Sequence, residues 1–139
     1  MEGMKAVALD IGERQIGVAV SDALGLVCRP LGTITRTSLR NDLETLRQTI
    51  VETEAEILVV GFPRNMNGSF GPQAARVDRM IASLQILGLP VYKVDERLSS
   101  REAEQRMIAA GLDVRERNLK RDAFAAAVIL QRYLDEGPL

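Results

Sequence analysis

The stretch VALDIGERQIGVAVSD, from Val7 to Asp22, constrains the fold more than any other part of this chain. Two apolar runs, Met4 to Asp10 and Gln15 to Ser21, flank the short turn in IGERQ and predict two strands of a hairpin. Asp10 closes the first run where an apolar side chain is expected, so its carboxylate enters the edge of a core. It serves either the bend that DIG precedes, which aspartate favours, or a chemistry that needs a shielded acid.

The rest of the chain follows the hairpin in a regular alternation. Pro30 to Thr35 predicts a third strand, and its proline and glycine mark it as an edge. Ser38 caps a helix whose Leu39, Leu43, Leu46 and Ile50 form one apolar stripe. EILVVG, from Glu56 to Gly61, is a strand buried on both faces. Pro72 starts a second helix, carrying Ala75, Val77, Met80, Ile81, Leu84 and Leu87 and stopped by Gly88.

Val91 to Val94 is the last strand. Ser99 and Glu102 have capping-box spacing and open a short helix that ends at Gly111. DVRERN is expected to be a mobile loop, and a final helix is expected from about Leu119 to Leu134. Three antiparallel strands followed by crossover units predict an α/β fold: a mixed five-stranded sheet with helices on both faces, the architecture of ribonuclease H.

Composition narrows the chemistry. With 139 residues, 46% of them hydrophobic, the chain fits a single domain over 1–139. It has no apolar run of about 18 residues and no leader-like start, so the expectation is a cytoplasmic protein without a membrane partner. There is no histidine, which removes the usual general base and imidazole metal ligands, and the one cysteine, Cys28, fits a small buried hydrophobe. An enzyme built from this chain must work with carboxylates, Lys, Arg and hydroxyls. The net charge of −1 gives no global basic field, although Arg64, Arg97, Arg101, Arg115, Arg117, Lys120 and Arg121 concentrate in a few segments able to meet phosphate locally.

Four acids stand out by position: Asp10 at the first strand's end, Asp95 and Glu96 closing the last strand, and Asp122 in the expected first turn of the final helix. Strand ends gather at one edge of an open sheet, where such folds place sites. Asp122 shares a helical face with Ala125, Ala126, Ile129 and Tyr133, and a helix N-terminus would help keep it ionised. Asp95 and Glu96 point to opposite sides of a regular strand, so one of the two faces the site; the longer arm of Glu96 favours it slightly. Clustered carboxylates repel unless a cation sits among them, and Mg²⁺ or Mn²⁺ would meet that need. The loop GFPRNMNGS, with Arg64 before a helix N-terminus, is suited to phosphate.

LDIGERQIGVAVSD, VVGFPRNMNGSFGPQA, VDERLSSREAE and KRDAFAAAVILQRYL resemble, in order and spacing, the four motif blocks of the bacterial YqgF family, also called RuvX. The resemblance implies an RNase H-like fold akin to RuvC and a metal-dependent nuclease, a hydrolase of phosphodiester bonds. Its substrate would be pre-16S rRNA, cut at the 5′ end during ribosome biogenesis, or branched DNA such as a Holliday junction, with ribosomal precursor particles as possible partners. On that pattern Asp10, the acid of the DER block (Glu96 or Asp95) and Asp122 are the catalytic, metal-binding carboxylates. Arg14, Arg64, Asn67, Arg97 and Lys120 are candidates for nucleic-acid contact. One departure stands out: RNase H and RuvC carry an essential acid on the fourth strand, whereas EILVVGFP has none after Glu56.

Two other classes compete. A nucleic-acid or ribosome-binding factor on a nuclease-like scaffold would account for the missing acid. A relative of sugar kinases and actin would share the DxG hairpin, but one domain of this length supplies half a nucleotide cleft. Monomer and dimer are both open.

Overall fold

A computed structural model of the chain describes residues 4–139. The expectation that no leader precedes the first strand falls partly on residues 1–3 and to that extent lies outside the described residues. The hairpin forms as β1 (Ala6–Ile11) and β2 (Gln15–Ser21), paired antiparallel with Asp10 opposite Gly17. β3 (Cys28–Thr35) begins before Pro30 and lies at the edge, its pairing with β2 slipping between Val18 and Ala19. That slip absorbs the proline and glycine, which an interior strand would not accommodate.

The chain then alternates: α1 (Leu39–Thr53), β4 (Ile57–Phe62), α2 (Pro72–Leu84), β5 (Val91–Asp95), α3 (Ser99–Ala109) and α4 (Val114–Glu136). The sheet order is β3-β2-β1-β4-β5, and the β1–β4 and β4–β5 pairs are parallel. β4 is buried along its whole length, as its unbroken apolar run requires.

Alternation along the strands divides the core in two. Val7, Leu9, Leu58 and Val60 face one way and pack with Leu46 of α1 and Val77, Met80 and Leu84 of α2. Ala6, Ala8, Ala19, Ile57, Val59 and Val94 face the other way, against Ala126, Ala127, Ile129 and Leu130 of α4. α3 rests on α4 through Ala103, Ala125 and Val128. The expected mixed sheet with helices on both faces is the fold observed. Cys28 is half-buried against α4, its thiol 3.2 Å from the Ala127 carbonyl oxygen. Among the described residues, no helix is long and apolar enough to cross a membrane.

Several local expectations are corrected. DVRERN is helix, not loop: the Asp113 side chain accepts from the Glu116 N–H at 2.8 Å while Glu116 accepts from the Asp113 N–H at 3.1 Å, so α4 starts at Val114. This reciprocal capping box was readable as D-V-R-E. The box expected at Ser99 and Glu102 does not form; Leu98 precedes α3 in the left-handed region (φ 64°), and Ser99 is already helical and buried. In α2 the buried alanine is Ala74 rather than Ala75.

In α1, Leu39 is exposed and an acid, Asp42, is buried in its place beside Leu46. Two partners explain it. Asp42 accepts from Arg36 Nε at 3.3 Å and from the Thr37 N–H at 3.0 Å, tying the end of β3 to the first turn of α1. Asp42→Ala leaves both donors without their acceptor and is expected to lower unfolding stability by about 2 kcal/mol, as read from urea denaturation.

Candidate active site

The alternation of β1 that sends Val7, Leu9 and Ile11 toward α1 and α2 sends Asp10 the other way, toward α4. Opposite Asp10 on β2 stands Gly17, and a Cβ there would lie 2.0 Å from the backbone oxygen of Asp122. Only glycine lets the α4 backbone come this low over the sheet, and the same contact brings Asp122 to the Asp10 side. Asp122 stands more than two turns into α4, where the helix terminus no longer supports its charge, contrary to the expectation of a first-turn position.

Glu96 follows β5, two residues after Val94, whose side chain packs on α4. Its N–H reaches the Phe62 carbonyl at 3.3 Å, and its carboxylate lies across Gly61 of β4. A Cβ on Gly61 would sit 2.8 Å from Glu96 Oε2 and 2.5 Å from Ile129 Cδ1. Gly61 is the residue after the Leu9–Val60 pairing, beside Asp10 on the neighbouring strand. The fourth strand therefore offers a gap where an acid was expected, and Glu96 reaches into it from the fifth.

Burial pushes the Asp10 carboxyl up to about 6; the hydrogen bond it shares with Glu96 opposes this rise, and the charge of Asp122 adds to it. Burial pushes Glu96 up to about 8, helped by the charge of Asp10, by their hydrogen bond and by the charge of Asp95. Two carboxylates ~4 Å apart at an effective dielectric of ~20 would repel by about 4 kcal/mol. Burial and mutual repulsion together disfavour two bare carboxylates side by side, so both groups take up a proton more readily than a free acid does. Among the described residues, Asp10, Glu96 and Asp122 form no salt bridge.

Asp95 has the opposite surroundings. Burial pushes its carboxyl up, but hydrogen bonds from the Arg97 N–H and side chain and the charges of Arg97 and Arg64 outweigh burial and hold it below the usual range. Arg97 Nε donates to Asp95 Oδ2 at 2.9 Å, and Arg64 Nη1 approaches the same oxygen at 3.7 Å. Arg64 also donates twice to the Gly68 carbonyl, at 3.1 and 3.0 Å, and stacks over Phe70 at 5.1 Å. The Asn67 side-chain oxygen accepts from the N–H and hydroxyl of Ser69, at 3.0 and 2.6 Å. These three candidates for phosphate contact thus fold the 63–71 loop and fasten it to Asp95. Arg14, in the β1–β2 turn, and Lys120, just before Asp122, are exposed and make no ion pair among the described residues.

Three residues that shape the site were not singled out from the sequence. Gly17 and Gly61 act by the side chains they lack, and both sit in apolar strand runs that conceal their purpose. Arg132 of α4 donates to the carbonyls of Asp95 and Arg97, the latter at 3.1 Å, and so fixes the turn that carries Glu96.

The donors are hard oxygens from carboxylates, which suit Mg²⁺ or Mn²⁺, ions commonly held by one or two carboxylates with water and substrate oxygens completing the shell. Asp10 and Glu96 supply such a pair, and Asp122 adds charge from α4. Among the described residues, no three acids or cysteines already converge as a ready-made metal cage.

A family model described as "RuvX: Holliday junction resolvase" matches residues 4–136. A protein of Acaryochloris marina, named "Putative pre-16S rRNA nuclease", is 42% identical over 139 residues, covering 99% of this chain and 96% of its own. One of Geobacillus kaustophilus with the same name is 46% identical over 135 residues, covering 95% of this chain and 98% of its own. Among solved structures, Thermus thermophilus RuvC in complex with Holliday junction substrate aligns over 99% of this chain and 100% of its own, at a TM-score of 0.63 and 18% identity. The Fowlpox virus resolvase bound to Holliday junction DNA aligns over 95% of this chain and 97% of its own, at 0.59 and 9%. The fold is the RNase H-like fold of the RuvC resolvases.

Two outcomes test this geometry. Gly17→Ala forces α4 away from β2 and is expected to cost about 3 kcal/mol in chemical denaturation. The acid pair makes a prediction of opposite sign. Glu96 binds its proton more tightly folded than unfolded, so from about pH 4.5 to about 8 the folded chain carries more protons and stability falls as pH rises. Glu96→Gln removes that loss. In chelator its stability is expected to exceed that of the native chain at pH 8, by on the order of 1–3 kcal/mol, and the gain to fade toward pH 4.5 in thermal unfolding.

Proposed function

The chain belongs to the RuvX family of Holliday junction resolvases, and from that premise we propose that it is a divalent-metal-dependent nuclease whose catalytic carboxylates are Asp10, Glu96 and Asp122. The observation that carries this assignment is the contrast among four neighbouring acids. Asp95 is paired with two arginines, whereas Asp10 and Glu96 are buried against each other, which pushes both carboxyls up, and with Asp122 they form no salt bridge among the described residues. A fold retains an uncompensated acidic cluster at a destabilising cost when the cluster has work to do.

Asp10 and Glu96 would hold the ion, with Asp122 as the third charge, and the bound ion would supply an activated water and offset the negative charge that develops on the phosphate. The chain's own contribution is placement. β1 and the turn after β5 set the two carboxylates side by side, and Arg132 holds that turn. Arg14, four residues after Asp10, and Lys120, two residues before Asp122, are exposed and are the candidates to bind the nucleic-acid backbone. Arg64, Asn67 and Arg97 act first on their own loop, so their phosphate contacts would come from the faces left open. Asp95 is a positioning residue that anchors Arg64 and Arg97.

Relatives more than 40% identical are named for pre-16S rRNA, while the junction-bound neighbours are below 20%. The 5′ leader of pre-16S rRNA is therefore the first substrate of choice and a four-way DNA junction the second. A cytoplasmic location and ribosomal precursor particles as partners follow from the RNA substrate. The test is cleavage of both labelled substrates with Mg²⁺, Mn²⁺ or chelator by native protein and Asp10→Asn. Metal-dependent cutting is expected, lost by more than a hundredfold in Asp10→Asn, which keeps its fold. Mn²⁺ is also expected to raise the melting temperature of native protein at pH 8 and not that of the variant. Cutting that persists in Asp10→Asn would overturn the assignment. Binding by both proteins without cutting would favour a non-catalytic binding factor, for which the absence of a ready-made three-ligand cage among the described residues also speaks.

A further inference from the structure

Asp10 faces α4, and the next residue, Ile11, faces the other way, toward a cavity of about 480 Å³ between the β1–β2 turn, the start of α1 and one flank of α2. That volume lies within the roughly 300–1,000 Å³ of small-molecule sites. Its apolar lining is the exposed Leu39 beside a floor of Ile11, Val77 and Met80, which are themselves largely packed in the core. Arg36, Arg76 and Arg79 bring three guanidinium groups to it, and Glu13 is its one acid.

The three arginines differ in how they are held. Arg36 is committed to Asp42 at 3.3 Å and to the Gly12 carbonyl at 2.9 Å, so it shapes the wall. Arg76 pairs with Glu13, but the two side chains are 53% and 75% exposed. An ion pair so open to water contributes little and is easily exchanged. Arg79 makes no ion pair among the described residues. The Glu13 carboxylate thus occupies one fork of a two-arginine anion site, as an internal stand-in for a stronger anion. Phosphate matches that site in charge and in bidentate geometry. The apolar lining beside it suits the flat face of a base or sugar, with Gln73 and Ser83 available to base edges.

We propose that this cavity binds a nucleoside phosphate, its phosphate on Arg76 and Arg79 in place of Glu13 and its nucleoside against Leu39 and the floor beside it. The preference for a nucleotide over other anions with an apolar body rests on the nuclease assignment above. The ligand arrives either as a free mononucleotide or as one nucleotide of a strand that runs on from the catalytic edge. Glu13 lies in the turn that follows Asp10, and that turn stays held by the Gly12–Gln15 backbone bond and by Arg36 on the Gly12 carbonyl when Glu13 leaves Arg76.

Binding is measured by calorimetry in chelator, which separates it from metal-dependent catalysis. The probes are the nucleoside 5′-monophosphates, a short 5′-phosphorylated oligonucleotide, and inorganic phosphate. Native protein is compared with Arg79→Gln and Glu13→Gln, both changes at exposed side chains. Arg79→Gln is expected to weaken binding about tenfold and Glu13→Gln to tighten it a few-fold, with nucleotides bound better than phosphate. These effects on mononucleotides identify a free ligand; the same effects confined to the oligonucleotide identify a substrate strand. If neither substitution changes the binding of the mononucleotides or of the oligonucleotide, or if phosphate binds as well as nucleotides, the proposal is overturned, even with metal-dependent cleavage intact. Failure of cleavage with these shifts present would overturn the nuclease assignment and leave a nucleotide-binding cavity.

Discussion

The contact between α4 and the backbone of β2 at Gly17 is the constraint from which the rest of the molecule takes its shape. Small residues form both sides of that interface: Ala6, Ala8 and Ala19 on the sheet, Ala126 and Ala127 on the helix. With so little side-chain volume between them, the helix settles close enough for its backbone at Asp122 to meet Gly17 directly. A larger residue at any of these positions would lift the helix and carry Asp122 away from Asp10. Packing density and site geometry are here one property, because close packing leaves no slack to absorb an added methyl group.

Charge is distributed with the same economy. On the α4 face, Asp10, Glu96 and Asp122 make no salt bridge among the described residues; at the loop, arginines are used up on Asp95, on the Gly68 and Met66 carbonyls and on the Phe70 ring. Arg64 and Arg97, the arginines that flank Asp95, are thereby committed to partners other than Asp10 and Glu96. Leu98, in the left-handed region immediately after Arg97, marks the turn where these two arrangements meet. A leucine held there costs on the order of 1 kcal/mol, which Arg132 and the buried Ser99 help to offset.

The two faces of β1 are coupled by covalent adjacency. Asp10 serves the acidic face and Ile11 the cationic cavity, so whatever moves the β1–β2 turn is felt on both. Arg36 strengthens the link, bonding the Gly12 carbonyl on one side and the buried Asp42 on the other. The sheet separates the two regions in space while the hairpin joins them.

By itself the sequence determined the strands, the order of the elements and the residue types of the site. Those follow from periodicity, from the lack of histidine and from acids placed at strand ends, all local properties of the chain. It also contained the capping box at Asp113, which was legible but obscured by the arginines around it. What only tertiary structure decided is which neighbours each charge meets. Asp95 and Glu96 are adjacent in sequence and chemically alike, yet one is enclosed by arginines from two loops and the other lies over Gly61 beside Asp10. The difference arises because strand alternation sends adjacent side chains to opposite faces, and what waits on each face is brought there by segments far away in sequence. Gly17, Gly61 and Arg132 belong to the same category: their purpose lies in a gap or a bond across the fold, and it leaves no periodic trace in the chain.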